Sequence, residues 1–192
     1  MRCHHRMMLV HTSIISPLEM RMTTRPPLAH VLASLIIFAG GLPVAITCSA
    51  QSLREQIVGT WLPVSQYVDQ DGKKLEPFGS EPKGIVIYDA GGRFVLVVQR
   101  ATLPRFASSN RLNGTPEENK AIVQGSIAYF GRYSVDEKER KISLHYDGST
   151  YPNWDGEDQI RLLQLSGDDL EVVSPVSAVG GGSVHLLLRK AK

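Results

Sequence analysis

Residues 128–149 read AYFGRYSVDEKERKISLHYDGS. Two segments with a period of two, 128–135 and 141–149, flank a short polar connection at 136–140. A connection that short joins antiparallel neighbours, because a parallel crossover needs about a dozen residues or more. In the first segment Tyr129, Gly131, Tyr133 and Val135 share one face, while Ala128, Phe130, Arg132 and Ser134 share the other. Both faces carry aromatics. A glycine between two tyrosines leaves room beside the rings, which suits a bound ligand or a sharp bend in a barrel wall; the bend is the preferred reading.

The same grammar extends in both directions. Eight strands are expected, at about 57–68, 84–89, 93–100, 128–135, 141–149, 158–166, 169–175 and 183–190. Ala90-Gly91-Gly92 and Gly167-Asp168 are further tight connections. The chain is therefore all-β, and eight strands joined mostly by hairpins can close on themselves as an up-and-down barrel and remove their exposed edges. One short α-helix interrupts the run, at about 115–127. Thr115 is its N-cap, Pro116 its first residue and Glu118 the return partner of a capping box, and Ile122, Val123 and Ile127 form a face laid on a core. The preceding segment 101–114, ATLPRFASSNRLNG, reads as a long loop of the kind that caps or gates a barrel mouth.

Residues 1–50 differ in kind. VLASLIIFAGGLPVAI at 31–46 is apolar and uncharged, follows Arg21 and Arg25, and precedes TCSAQ. This is the pattern of a signal peptide cleaved between Ala50 and Gln51, and it predicts an exported protein, periplasmic or secreted. The apolar run is 16 residues, short of the ~20 a spanning helix needs. The long stretch before it places the expected start of translation at Met20 or Met22. Lipidation at Cys48 is disfavoured, because Thr47 and Ala45 stand where a lipid-attachment box has a small residue and a leucine.

Removing the leader changes the charge arithmetic. The chain has 21 Lys and Arg against 19 Asp and Glu; the leader holds 4 of the former and 1 of the latter, leaving 17 against 18. The remainder is close to neutral, so the basic balance of the whole is no argument for a nucleic-acid partner. Both cysteines and four of six histidines lie in the leader. His145 and His185 remain, forty residues apart and without metal-ligand spacing, and no nucleophile elbow, phosphate loop or dinucleotide fingerprint occurs. No cofactor is called for, and no membrane association after cleavage.

Ile57-Val58-Gly59-Thr60-Trp61 opens the first strand with a G-x-W. That motif resembles the lipocalin and calycin superfamily. EPFGSEPKGIVIYDAGGRF (76–94), RFASSNRLNGTPEE (105–118), AYFGRYSVDE (128–137) and YPNWDGEDQIRLLQLSGDDL (151–170) are similar to the bacterial and fungal lipocalin-like domain family, and the similarity covers residues 53–190. It implies a calycin-like barrel with an interior cavity, but no common substrate, so carrier and enzyme both stay open. It further implies that Trp61 closes one end of the barrel with a basic residue of the last strand, Arg189, over its indole.

The polar groups expected to fix a ligand's head in an apolar cup are Tyr88, Arg100, Tyr129, Tyr133, His145, Arg161 and Trp154, with Tyr146 beside His145. Arg161 sits in Ile160-Arg161-Leu162-Leu163. If it faces inward it needs an acidic partner or a ligand, because a buried unpaired charge is costly. Trp154 belongs to PNWDGED, a loop that reads as a ligand lid or as ordinary turn chemistry. The leading expectation is a protein that binds a small hydrophobic or amphipathic molecule. An enzyme of the same fold, such as a cyclase, isomerase or dehydratase, is the rival, and a barrel filled by its own side chains is the third reading. Apolar runs on both faces of 85–87, 95–98 and 186–188 suggest cover by the helix or by a second copy in a homo-oligomer.

Overall fold

In the computed structural model, which describes residues 51–192, the alternating segments become strands. The expected signal peptide, its apolar core, Cys48 and the alternative starts at Met20 and Met22 lie outside the described residues. In chain order the elements are α1 (Leu53–Ile57), β1 (Gly59–Gln70), β2 (Lys73–Leu75), β3 (Lys83–Tyr88), β4 (Arg93–Gln99), α2 (Pro116–Gly125), β5 (Ser126–Asp136), β6 (Lys141–Ser149), β7 (Asp158–Ser166), β8 (Asp169–Ser174) and β9 (Ser183–Lys190). Each of β3 to β8 pairs antiparallel with the next, β1 pairs with β3, and β9 returns to β1. Eight strands thus close into a barrel. The ninth, β2, only folds back on the end of β1 through Asp71 and Gly72, both at positive φ, as a two-residue hairpin requires.

Burial settles which face of each strand points inward. Tyr129, Gly131 and Tyr133 on β5, Ile142, Leu144 and Tyr146 on β6, and Gln159, Arg161 and Leu163 on β7 are buried, while the residues between them are exposed or half-exposed. Burying the aliphatic and aromatic side chains among them contributes about 1.5 to 3 kcal/mol each. Gly131 marks a bulge, where Phe130 pairs with Gly148 but Gly131 pairs with Tyr146, leaving Asp147 without a cross-strand partner. A Cβ on Gly131 would meet the His145 carbonyl oxygen at 1.9 Å. Close backbone approach at a bend therefore explains this glycine.

One end of the barrel is plugged. Trp61 is fully buried, and its Nε1 donates to the Ile57 carbonyl at 2.7 Å. The helix α1 supplies Leu53 and Ile57 to the same core, and Glu137 accepts from the backbone N–H groups of Leu53 and Arg54 at its start. This helix is additional to the one expected. Ser52 and Glu55 form a capping box that begins it. The cation over the indole is Lys190, not Arg189: Nζ lies 5.2 Å from the ring centroid. Alternation is the reason. Leu188 faces inward and Arg189 outward, where it forms a double hydrogen bond with its cross-strand neighbour Asp169. Lys190 comes opposite Trp61 in the ladder.

Candidate functional site

The other end of the barrel is open to a cavity of about 280 Å³, near the lower limit of what small-molecule sites enclose. Its walls are the inward residues at the far ends of the strands, among them Val68, Leu96, Val172 and Leu186. Three pieces of connecting chain build the rim: Pro77–Phe78, the last turn of α2 at Val123 and Gln124, and the segment 176–179. Trp154 lies in a 3₁₀ turn, Pro152–Trp154, which folds into the mouth. Its ring packs 5.6 Å from Tyr129, 5.4 Å from Tyr146 and 5.5 Å from Tyr151. The PNWDGED loop is thus part of the cavity wall, while Asp155 and Glu157 stay exposed.

Arg161 and Tyr129 also line this cavity. Arg161 is 6% exposed. It donates from Nη1 to the Tyr129 hydroxyl at 2.9 Å and from Nη2 to the Tyr146 hydroxyl and, at 3.3 Å, to Gln159 Oε1. Nε is buried without an acceptor. The Tyr146 hydroxyl in turn donates to Gln159 Oε1 at 2.8 Å. Burial is the largest influence on Tyr88 and Tyr146 and pushes both hydroxyls well above the ordinary tyrosine range, against the lowering effect of Arg161. Both therefore stay neutral. For Arg161 burial is again the largest influence and pulls its pKa down; the surrounding tyrosines outweigh that only in their ionised form, and the net direction is up. The guanidinium stays charged at any physiological pH.

The remaining residues singled out from sequence separate from this group. Tyr88 and Tyr133 pack edge to face at 5.2 Å towards the plugged end, and the Tyr133 hydroxyl donates to the Asp89 carbonyl at 2.7 Å. Both are inside the barrel but not on the cavity wall. Arg100 follows the end of β4 and donates from Nε to the Pro77 carbonyl at 2.9 Å, fixing the rim rather than facing the cup. His145 is corrected outright as a cavity residue. With Tyr146 turned inward, it stands on the outer face of β6, 2.9 Å from Asp158 through Nδ1. The loop 101–114 does not reach the cavity wall; Ala107 is tied to Glu118 at the start of α2, and Phe106 packs over Gly114. Sequence reading passed over Phe78 and the 176–179 segment. Phe78 stood inside EPFGSEP with no periodicity to mark it as buried.

A sequence profile of the lipocalin-like domain family matches residues 58–187. The chain belongs to that family. This lipocalin-like chain is 32% identical over 81 residues, 39% of its own length and 73% of the other's, to the 4'-hydroxy-3'-methoxypropiophenone carrier protein ppsC of Aspergillus oryzae. Among solved structures it is similar to a lipocalin-like protein from Bacteroides uniformis, with 17% identity, a TM-score of 0.40, and coverage of 71% of this chain and 99% of that one. An uncharacterized protein from Bacteroides eggerthii follows at 13% identity, a TM-score of 0.36, and coverage of 70% and 99%. The lipocalin-like barrel suits a small hydrophobic ligand. Among its described lining residues Arg161 is the one that carries a charge, set in a wall that is mostly apolar.

Proposed function

We propose that this lipocalin-like protein is an exported carrier, periplasmic or secreted, that holds a small amphipathic molecule of about one aromatic ring in the open end of its barrel. The observation that carries the reading is the cavity itself, about 280 Å³ with mostly aliphatic and aromatic walls, scattered neutral polar groups such as Gln66, Thr150 and Ser174, and a buried cation at Arg161 beside Tyr129. A pocket of that size and lining matches a compact ring with a polar substituent better than a long acyl chain. The similarity to a carrier named for an aryl ketone supports the same ligand class.

Native mass spectrometry of the full chain, expressed with its leader and purified gently, tests this. A mass excess that denaturation releases as a small lipophilic compound is the expected result. A protein that stays empty and ignores lipophilic fluorescent dyes would overturn it. Tyr129 gives the rival enzymatic reading its one specific support, because its hydroxyl accepts from Arg161 and keeps its own proton for a substrate carbonyl. Among the described lining residues no carboxylate or imidazole is present to take a proton in return, which favours carriage. Turnover of a captured compound in the mass spectrum would reverse that preference.

A further inference from the structure

Arg161 carries a full charge inside the barrel with no opposite charge among the described residues to meet it. Its three protein partners, Tyr129, Tyr146 and Gln159, are all neutral, and none of the ion pairs among the described residues includes it. A guanidinium has five N–H donors; three are engaged here, and Nε is buried with no acceptor. The tyrosines cannot supply the missing negative charge, since burial keeps Tyr146 and Tyr88 protonated. Holding such a charge away from water is costly unless something compensates it. The cavity beside it is the place from which compensation can come.

The hydroxyls on either side of the guanidinium are not equivalent. Tyr146 spends its proton on Gln159 inside the wall. Tyr129 accepts from Arg161 and has no acceptor for its own proton among the described residues, and it lines the cavity. An oxygen anion placed there would take one hydrogen bond from Tyr129 and the charge of Arg161 together. Both would be strengthened by the dry surroundings.

We propose that the polar end of the ligand is a carboxylate, seated on Arg161 and Tyr129 at the floor of the cup, with the apolar body of the molecule filling the space up to Phe78 and Trp154. This rests on the carrier reading and narrows it to acidic ligands. The class is a compact arylalkanoic acid: one ring for the aliphatic and aromatic wall, one carboxylate for the buried cation. The charge makes the site selective. A neutral alcohol or ester of the same shape leaves Arg161 uncompensated, whereas the acid removes the cost that the empty barrel bears.

Calorimetric titration of the full chain with 3-phenylpropanoate, its methyl ester and 3-phenylpropanol tests the assignment. The acid is expected to bind roughly 10- to 100-fold more tightly than either neutral compound, the range of charge-assisted hydrogen bonds. In Arg161→Met that preference should fall to near unity, and in Tyr129→Phe it should shrink several-fold while 3-phenylpropanol binds as before. The second variant keeps the ring and the fold should the first fail to fold. Equal binding of acid and alcohol by the unaltered protein would overturn the carboxylate while leaving a carrier of neutral ligands, and so would an acid preference that survives both substitutions. If neither the three probes nor a lipophilic dye enters the barrel, the carrier reading itself fails.

Discussion

Lys190 binds the closed end of the barrel twice: its Nζ lies 5.2 Å from the centre of the Trp61 ring and donates to the Gln56 carbonyl at 2.9 Å. One side chain therefore joins the last strand, the plug and the end of α1. Lys190→Ala should lower unfolding free energy by about 1 to 2 kcal/mol, the sum of a partly desolvated cation over a ring and one hydrogen bond. Arg189→Ala should change it by less than about 1 kcal/mol, because the Arg189–Asp169 pair is exposed. Trp61→Ala should cost about 3 to 5 kcal/mol. Urea unfolding of the three variants gives the ranking directly, and a larger loss for Arg189→Ala than for Lys190→Ala would place the capping cation on the wrong residue.

Gly131 should tolerate no side chain. A methyl group there meets a backbone oxygen, not a mobile side chain, so β5 or β6 has to shift at the bulge. Gly131→Ala is expected to destabilise by about 1 to 3 kcal/mol and to disturb the wall that carries Tyr129 and Tyr146. Gly156, where a Cβ would find open space but φ is +79°, serves as the comparison: Gly156→Ala pays only the backbone strain, about 1 kcal/mol. Thermal unfolding of the pair checks whether close approach or backbone freedom is the stronger demand.

The number and order of the barrel strands and the start of α2 were legible because each rests on local signals: alternation, tight turns, and the Thr115-Pro116-Glu117-Glu118 cap, whose reciprocal hydrogen bonds the structure contains. The parity of strands apolar on both faces, such as Val95-Leu96-Val97-Val98, was not, because alternation carries no information where every residue is apolar. Parity decided the rest. It turned His145 outward and Tyr146 inward, and it moved the cation over Trp61 by one residue. β2 had a legible mark, Asp71-Gly72, but three residues are too few to show a period. Arg161 was conspicuous for a different reason. A charge amid apolar neighbours is informative whichever way it points, and its missing counter-charge could only be found in three dimensions.

The inner tyrosines set an alkaline limit. Tyr88, Tyr146 and Tyr133 have pKa values raised by burial above the ~10 of an unfolded tyrosine. Groups raised in the folded state contribute stability that is fully present below the unfolded value and is lost as pH rises through the folded one. The barrel should therefore unfold as pH climbs above about 10, with tyrosinate absorbance from these residues appearing together with loss of the β-sheet circular dichroism. Tyr88→Phe should move that transition to higher pH. Full ionisation of all the tyrosines in a barrel whose dichroism is intact would show that burial does not hold their protons.

Arg161→Met should leave the empty protein as stable as before, or more so by about 1 kcal/mol or more, although it removes three hydrogen bonds. The reason lies in what remains. Tyr146 and Gln159 keep their own hydrogen bond, Tyr129 keeps its edge contact with the Tyr146 ring at 5.2 Å, and no acid is left behind unpaired. Methionine fills the space of the guanidinium stem with apolar atoms at little loss of packing. The substitution thus removes an uncompensated charge at the loss of the hydrogen bond that the Tyr129 hydroxyl accepts, and that hydroxyl is left facing the cavity. Calorimetric melting of the unliganded variant against the parent decides the matter: a drop of several kcal/mol would mean that Arg161 is a structural pin holding three strands, whereas an equal or raised melting temperature means that its charge is kept at the expense of the empty barrel, for use when the cup is filled.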